Sequence, residues 1–391
     1  MKRKSIFNGL LLIVLLISGC SAPNSSKRHI LFYVGSSDPS LSHPIFLCSF
    51  DYQAMQASVV DSFSGSRGSS YITLSPEHGF LYAIDKSVWD SAAGEQTISA
   101  FRVEKDSYKL EYLNSQSSKG AGPCHIHCNS DRSFIFTANY GSGSVASFPL
   151  SNQGEILPAS DVVLSTGSGP NKDRQSSAHN HYVTLDPDGN FLLSPDLGTD
   201  RVMVFRFDKT TGNLVPNPNQ AYFQSEPGAG PRHLDFHPSG DYLYVVNELN
   251  STLTACRYDK DSGIISLLNT LSTITDNYVG PSYPAAVRVH PGGRFVYASN
   301  RGDTNSISVF RILDDGSIER IQVLCGVPAW PRDFNIDPEG RFILIAGEQG
   351  NEIEIYRINP DSGELYPCGG KTAIRAPANI LFIDPGSRSS D

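Results

Sequence analysis

"HLDFHPSGDYLYVVN", residues 233–247, decides the fold. A β-rich run breaks at Pro238-Ser239-Gly240 and a second β-rich run follows, which is the pattern of a hairpin. The pattern recurs as "YITLSPEHGFLYAID" (71–85), "HIHCNSDRSFIFTAN" (125–139), "YVTLDPDGNFLLSPD" (182–196), "AVRVHPGGRFVYASN" (286–300) and "DFNIDPEGRFILIAG" (333–347). With the turn anchored at Pro76, Ser130, Pro187, Pro238, Pro291 and Pro338, the intervals are 54, 57, 51, 53 and 47 residues. A third strand follows each hairpin, as in "TLTACRYD" and "SISVFRIL". Then a glycine turn, as in "KDSGII" and "LDDGSI", leads into a fourth. Four strands every fifty or so residues is the period of one propeller blade.

The two ends of the chain complete the count. "ILFYVGS" (30–36) is a second strand with no first strand before it, and "PIFLCSFD" (44–51) is its third. "ANILFIDPG" (378–386) is a first strand and turn with no second strand after it. Paired, the two halves make a seventh blade and remove the open edge that would otherwise template aggregation. The expected architecture is all-β, a seven-bladed propeller over residues 29–386 with four antiparallel strands per blade. Residues 387–391 form a polar tail.

The 391 residues carry a formal net charge of −9 with no basic stripe, so a nucleic-acid partner is not expected. A few arginines in a cleft can still override that balance for a small anion. At the N-terminus Lys2, Arg3 and Lys4 precede a wholly apolar run, residues 10–17. That run is too short to cross about 30 Å of hydrocarbon, so residues 1–19 read as a signal peptide. Its end, "LISGC", resembles the lipobox of bacterial lipoproteins, with Cys20 as the lipidated residue and residues 20–28 as a tether. The expected location is outside the cytoplasm, lipid-anchored at the periplasmic or cell-surface face of an outer membrane. The other six cysteines suggest no disulfide framework, and Cys48 and Cys256 read as small core residues. In "CHIHC" (124–128), strict alternation puts Cys124 and Cys128 on one face and His125 and His127 on the other, so no metal site is expected.

Function should lie where matched positions differ between blades. Six residues before the turn anchor stand Ser70, Cys124, His181, Arg232, Ala285, Arg332 and Asn379. Ten residues after it stand Lys86, Tyr140, Leu197, Glu248, Arg301 and Glu348. The first two strands of a blade are antiparallel neighbours, so both columns ring one mouth of the central channel. Arg232 and Glu248 are then side by side, with His181 and Arg301 facing them from neighbouring blades. A base near neutrality, a carboxylate and two guanidiniums can open or close a cyclic ester.

"GPRHLDFHPSGDYLYVVNE", "DLGTDRVMVF", "SNRGDTNSISVF" and "PRDFNIDPEGRFILIAGEQGNEIEIY" resemble the bacterial 6-phosphogluconolactonase family of seven-bladed propellers, over residues 29–386. That family is similar to the fungal carboxy-muconate cyclase. The resemblance implies a catalytic set of His181, Arg232, Glu248 and Arg301, with His181 or Glu248 as base. His125, His179, His233, Asn247 and Arg332 are substrate-binding candidates. It implies metal- and cofactor-independent hydrolysis of a small anionic lactone of a sugar acid. The alternatives are a muconate-type cycloisomerase and a surface-anchored propeller that binds without turnover. Export argues against a phosphorylated physiological substrate.

Overall fold

A computed structural model describes residues 29–65, 68–85 and 96–383. The leader and tether (1–28 with Cys20), Lys86 and the polar tail therefore lie outside the described residues. Seven antiparallel sheets are present, one per blade. Six are continuous in sequence, at residues 72–117, 123–164, 184–224, 231–272, 282–325 and 331–373. The seventh joins the chain ends: Pro377–Ile383 pairs with His29–Ser36, which pairs with Ile45–Asp51 and then Gln56–Phe63. The ring closes as the two orphan halves require.

Each blade is sandwiched between two others, so its inner strands are apolar on both faces. Phe342–Gly347, "FILIAG", is buried at every position. The core is accordingly a set of clusters between blades. One holds Phe32, Phe50 and Ile380 of the closing blade against Leu344 and Ile355 of the blade before it. Cys48 and Cys256 are buried in such clusters, and the six described cysteines are free thiols. The fourth strands face solvent, where Leu164 and Leu267 are exposed.

The innermost strands do not alternate strictly. Pro231 pairs with Asn247 but His233 pairs with Val246, leaving Arg232 as the extra residue of a β-bulge. The same break makes Cys124 and Arg332 extra residues, at Pro123/His125 and Pro331/His125's counterpart Asp333. A bulge re-aims the side chain it carries. This overturns the expectation that Cys124 and Cys128 share a face. Cys124 packs with Val183 and Phe205 of the following blade, Cys128 with Tyr82 and Ile98 of the preceding one.

A second correction concerns the closing blade. Its innermost strand has one more residue between Pro377 and the turn than the strand beginning at Pro231 has. Ala378, not Asn379, is the bulge residue there and matches Arg232. On the neighbouring strand Ser37 follows Ser36 as Glu248 follows Asn247, so the second column has a member in every blade.

A candidate active site at the channel mouth

Glu248 is the centre of the site. It directly follows the second strand of its blade, Tyr242–Asn247, and its backbone N–H donates to Gly230 O at 2.8 Å. Arg301 Nη2 donates to Glu248 Oε2 at 2.8 Å. Arg232 Nε lies 2.9 Å from the same oxygen, but its N–H is not directed along that line, so the contact is an ion pair and not a hydrogen bond. Arg174 Nη2 donates to Oε1 at 2.6 Å. Burial alone would raise the carboxyl pKa; Arg301, Arg232 and Arg174 outweigh it and hold Glu248 at about 2.

The two inner arginines are themselves fixed. Arg232, almost fully buried, donates from Nη1 to Ala285 O at 2.6 Å and contacts His233 Nε2 at 3.0 Å. Arg301 donates from Nε to Tyr283 O at 3.0 Å, and its guanidinium lies 5.3 Å from the Trp330 ring centre. Burial and then the Arg301 charge push Arg232 down to about 9, which leaves it charged at neutral pH.

His181 completes the predicted group from the neighbouring blade. Its ring is 5.5 Å from Tyr140 and 5.3 Å from His233, and its Nδ1 is buried with no hydrogen-bond partner. Burial first, then the charges of Arg232, Arg332 and Arg301, hold its pKa well below the usual histidine value. It is a neutral imidazole beside a cluster of guanidiniums.

The other candidates separate by depth. His179 stands at the rim, stacked on Tyr140 at 4.3 Å with Nδ1 2.8 Å from Tyr140 O. Arg332 Nη1 is 3.6 Å from Glu348 Oε2, in the same two columns as Arg232 and Glu248, and Ser37 Oγ donates to Glu348 Oε1 at 2.5 Å. His125 and His233 lie deeper in a layer of rings: Tyr71–His125 at 4.1 Å, His125–Tyr182 at 3.8 Å and Tyr182–His233 at 4.8 Å. Val183 N–H donates to His125 Nδ1, and Arg232 Nη1 to His233 Nε2, so their protons sit on Nε2 and Nδ1 respectively. Asn247 is corrected. Its amide donates to Thr252 and Thr254 on its own blade's third strand, as Asn139 and Asn300 do to serines in theirs. It ties strands together and is turned away from the mouth.

Arg174 was missed, because it lies on the connection between the second and third of the continuous blades, residues 165–183, outside every repeat column. The bulge that aims Arg232 depends on Gly230, whose φ is +63°. A Cβ there would lie 2.5 Å from Leu249 Cγ. Gly230→Ala is expected to lower stability by about 1–3 kcal/mol, read as a lower midpoint of thermal unfolding. Gly79→Ala, where φ is not positive and the nearest contact is 3.5 Å, should change little.

Fold and site together define a class: a closed β-propeller that presents a histidine, a carboxylate and converging arginines at one channel mouth. The chain belongs to the family described as "Lactonase, 7-bladed beta-propeller", whose model matches residues 31–382. The Bacillus subtilis protein named 6-phosphogluconolactonase is 29% identical over 352 residues, covering 90% of this chain and 97% of that relative. The Formosa agariphila protein of the same name is 30% identical over 362 residues, covering 90% and 99%. A solved structure, the Pseudomonas aeruginosa periplasmic gluconolactonase, superposes with a TM-score of 0.83 at 25% identity, covering 91% of this chain and 99% of that one.

Proposed function

We propose that this chain hydrolyses the lactone of a sugar acid at the channel mouth, with His181 as general base. The observation that carries the assignment is the contrast between two potential bases. Glu248 is ionised but spent, since both its oxygens face guanidiniums and its pKa is about 2. His181 is neutral and has an unpartnered buried nitrogen. Both groups are held below their ordinary range and are unprotonated at neutral pH. What separates them is that both Glu248 oxygens are engaged by guanidiniums whereas His181 Nδ1 is not, which leaves His181 as the group free to take a proton.

In this mechanism His181 takes a proton from water as the oxygen attacks the lactone carbonyl. Arg232 and Arg301 hold the oxyanion that forms. The ring C–O bond then breaks, and the imidazolium returns its proton to the leaving alkoxide, giving the open hydroxy acid. Glu248 orients the two arginines and does not itself move a proton. The relatives named 6-phosphogluconolactonase and periplasmic gluconolactonase support the substrate class. The test is acid release from sugar lactones by the purified protein. Binding of the open acid without any turnover of its lactone would favour a ligand-binding propeller instead.

Export on a lipid anchor at Cys20 belongs to the same reading, supported by the lipobox-like "LISGC" and by a relative described as periplasmic. Cys20→Ser is expected to remove a metabolically incorporated fatty-acid label and shift the protein out of the membrane fraction. A wild-type chain that never takes up the label would contradict the anchor.

A further inference from the structure

Glu248 is over-neutralised. One carboxylate meets three guanidiniums, those of Arg232, Arg301 and Arg174. Arg332 adds a fourth, close enough to depress His181, Arg232 and Arg301, and Glu348 is its carboxylate. Among the described residues of the mouth, four positive charges therefore face two negative ones. Like charges held out of water are costly without compensation, so the mouth favours an anionic ligand.

The arginines are not equivalent. Arg232 and Arg301 are buried and tied to backbone carbonyls, as the reacting end of a ligand would need. Arg174 is the outermost, with 36% of its side chain exposed, and the Tyr140 phenol is its other hydrogen-bond partner. Its backbone is nonetheless fixed, because the next residue, Gln175, is fully buried. Gln175 donates to Leu197 O at 2.9 Å and Asp200 Oδ1 at 2.6 Å, and accepts from Asn171 N–H at 3.0 Å. A pinned segment thus carries a solvent-side guanidinium to the edge of the site.

We propose that Arg174 is a specificity-determining residue that recognises an anionic substituent on the end of the ligand remote from the lactone carbonyl. On binding, its planar fork moves from Glu248 Oε1 to that group, a phosphate monoester or a carboxylate, either of which it can hold through two N–H donors. This rests on the reading of the mouth as a lactone site.

The experiment compares calorimetric binding of three stable open acids: gluconate, 6-phosphogluconate with a remote phosphate, and glucarate with a remote carboxylate. For wild type, at least one of the doubly acidic ligands should bind more tightly than gluconate, and which one identifies the group read. Arg174→Gln should weaken that ligand roughly ten- to hundredfold and gluconate by no more than about twofold, with Arg174→Lys recovering part of the loss. An equal loss for all three acids, or no loss, would overturn the role of Arg174 while leaving the lactone reading intact. Failure of all three to bind a wild type that still hydrolyses sugar lactones would overturn the role of Arg174 alone, and failure to bind together with no acid release would overturn both.

Discussion

Deleting the chain from Pro377 onward should abolish folding. The deletion removes the innermost strand of the closing blade and leaves His29–Ser36 as an open edge facing the channel. It also strips Ile380, Phe382 and Ile383, all buried, from the clusters on either side. At about 1.5–3 kcal/mol for each large apolar side chain, the loss is about 5–9 kcal/mol. Typical total stability is about 5–15 kcal/mol, so little would remain, and the exposed edge adds a route to aggregation. Circular dichroism and light scattering on the truncated chain provide the check. A monomer that melts where the full chain melts would refute ring closure through the two termini.

His181→Asn and Glu248→Gln should fail in different ways. Loss of a general base costs typically 10²–10⁴-fold, and for His181→Asn that loss should fall on kcat with the fold intact. Glu248→Gln instead leaves buried guanidiniums without their counter-ion. Breaking such a pair costs about 3–5 kcal/mol, so this variant should lose thermal stability and raise KM. The acid limb of kcat/KM gives an independent reading. Because burial and the arginine charges hold His181 well below its ordinary pKa, the base stays unprotonated as pH falls through 6.5, where a solvent-exposed histidine would lose activity. A stable Glu248→Gln protein with a larger kcat defect than His181→Asn would transfer the role of base to the carboxylate.

The ring was legible because a hairpin with a Pro/Gly turn has a period, and the incomplete halves at the two ends could only complete one another. Arg232, Glu248 and Arg301 were legible for the same reason, as charged residues in columns that are otherwise free to vary. Strict alternation failed at Cys124 because the proline that opens the strand introduces a bulge. The signal was present in "GPC", "GPR" and "WPR", since a residue without an N–H sits naturally at the start of a strand or at a bulge. Counting back from the turn failed at Asn379, because the last strand is one residue longer between its opening proline and the turn, and the pairing puts Ala378 at the bulge. Asn247 stood among the binding candidates, yet successive side chains on a strand point to opposite faces, and its amide is taken up by Thr252 and Thr254. Arg174 could not be reached by any periodic reading, because its placement depends on Gln175 folding a non-repeating segment back onto the rim.

The central claim, that the His–Arg–Glu mouth opens lactones, is tested most directly by one initial-rate measurement. Acid release is followed with glucono-lactone, its 6-phosphate and a muconolactone, for wild type beside Arg232→Ala. Wild type should accelerate hydrolysis of at least one sugar lactone over the spontaneous rate and leave the muconolactone unopened, and Arg232→Ala should lose most of that acceleration. Wild type and Arg232→Ala releasing acid at the same rate would contradict it.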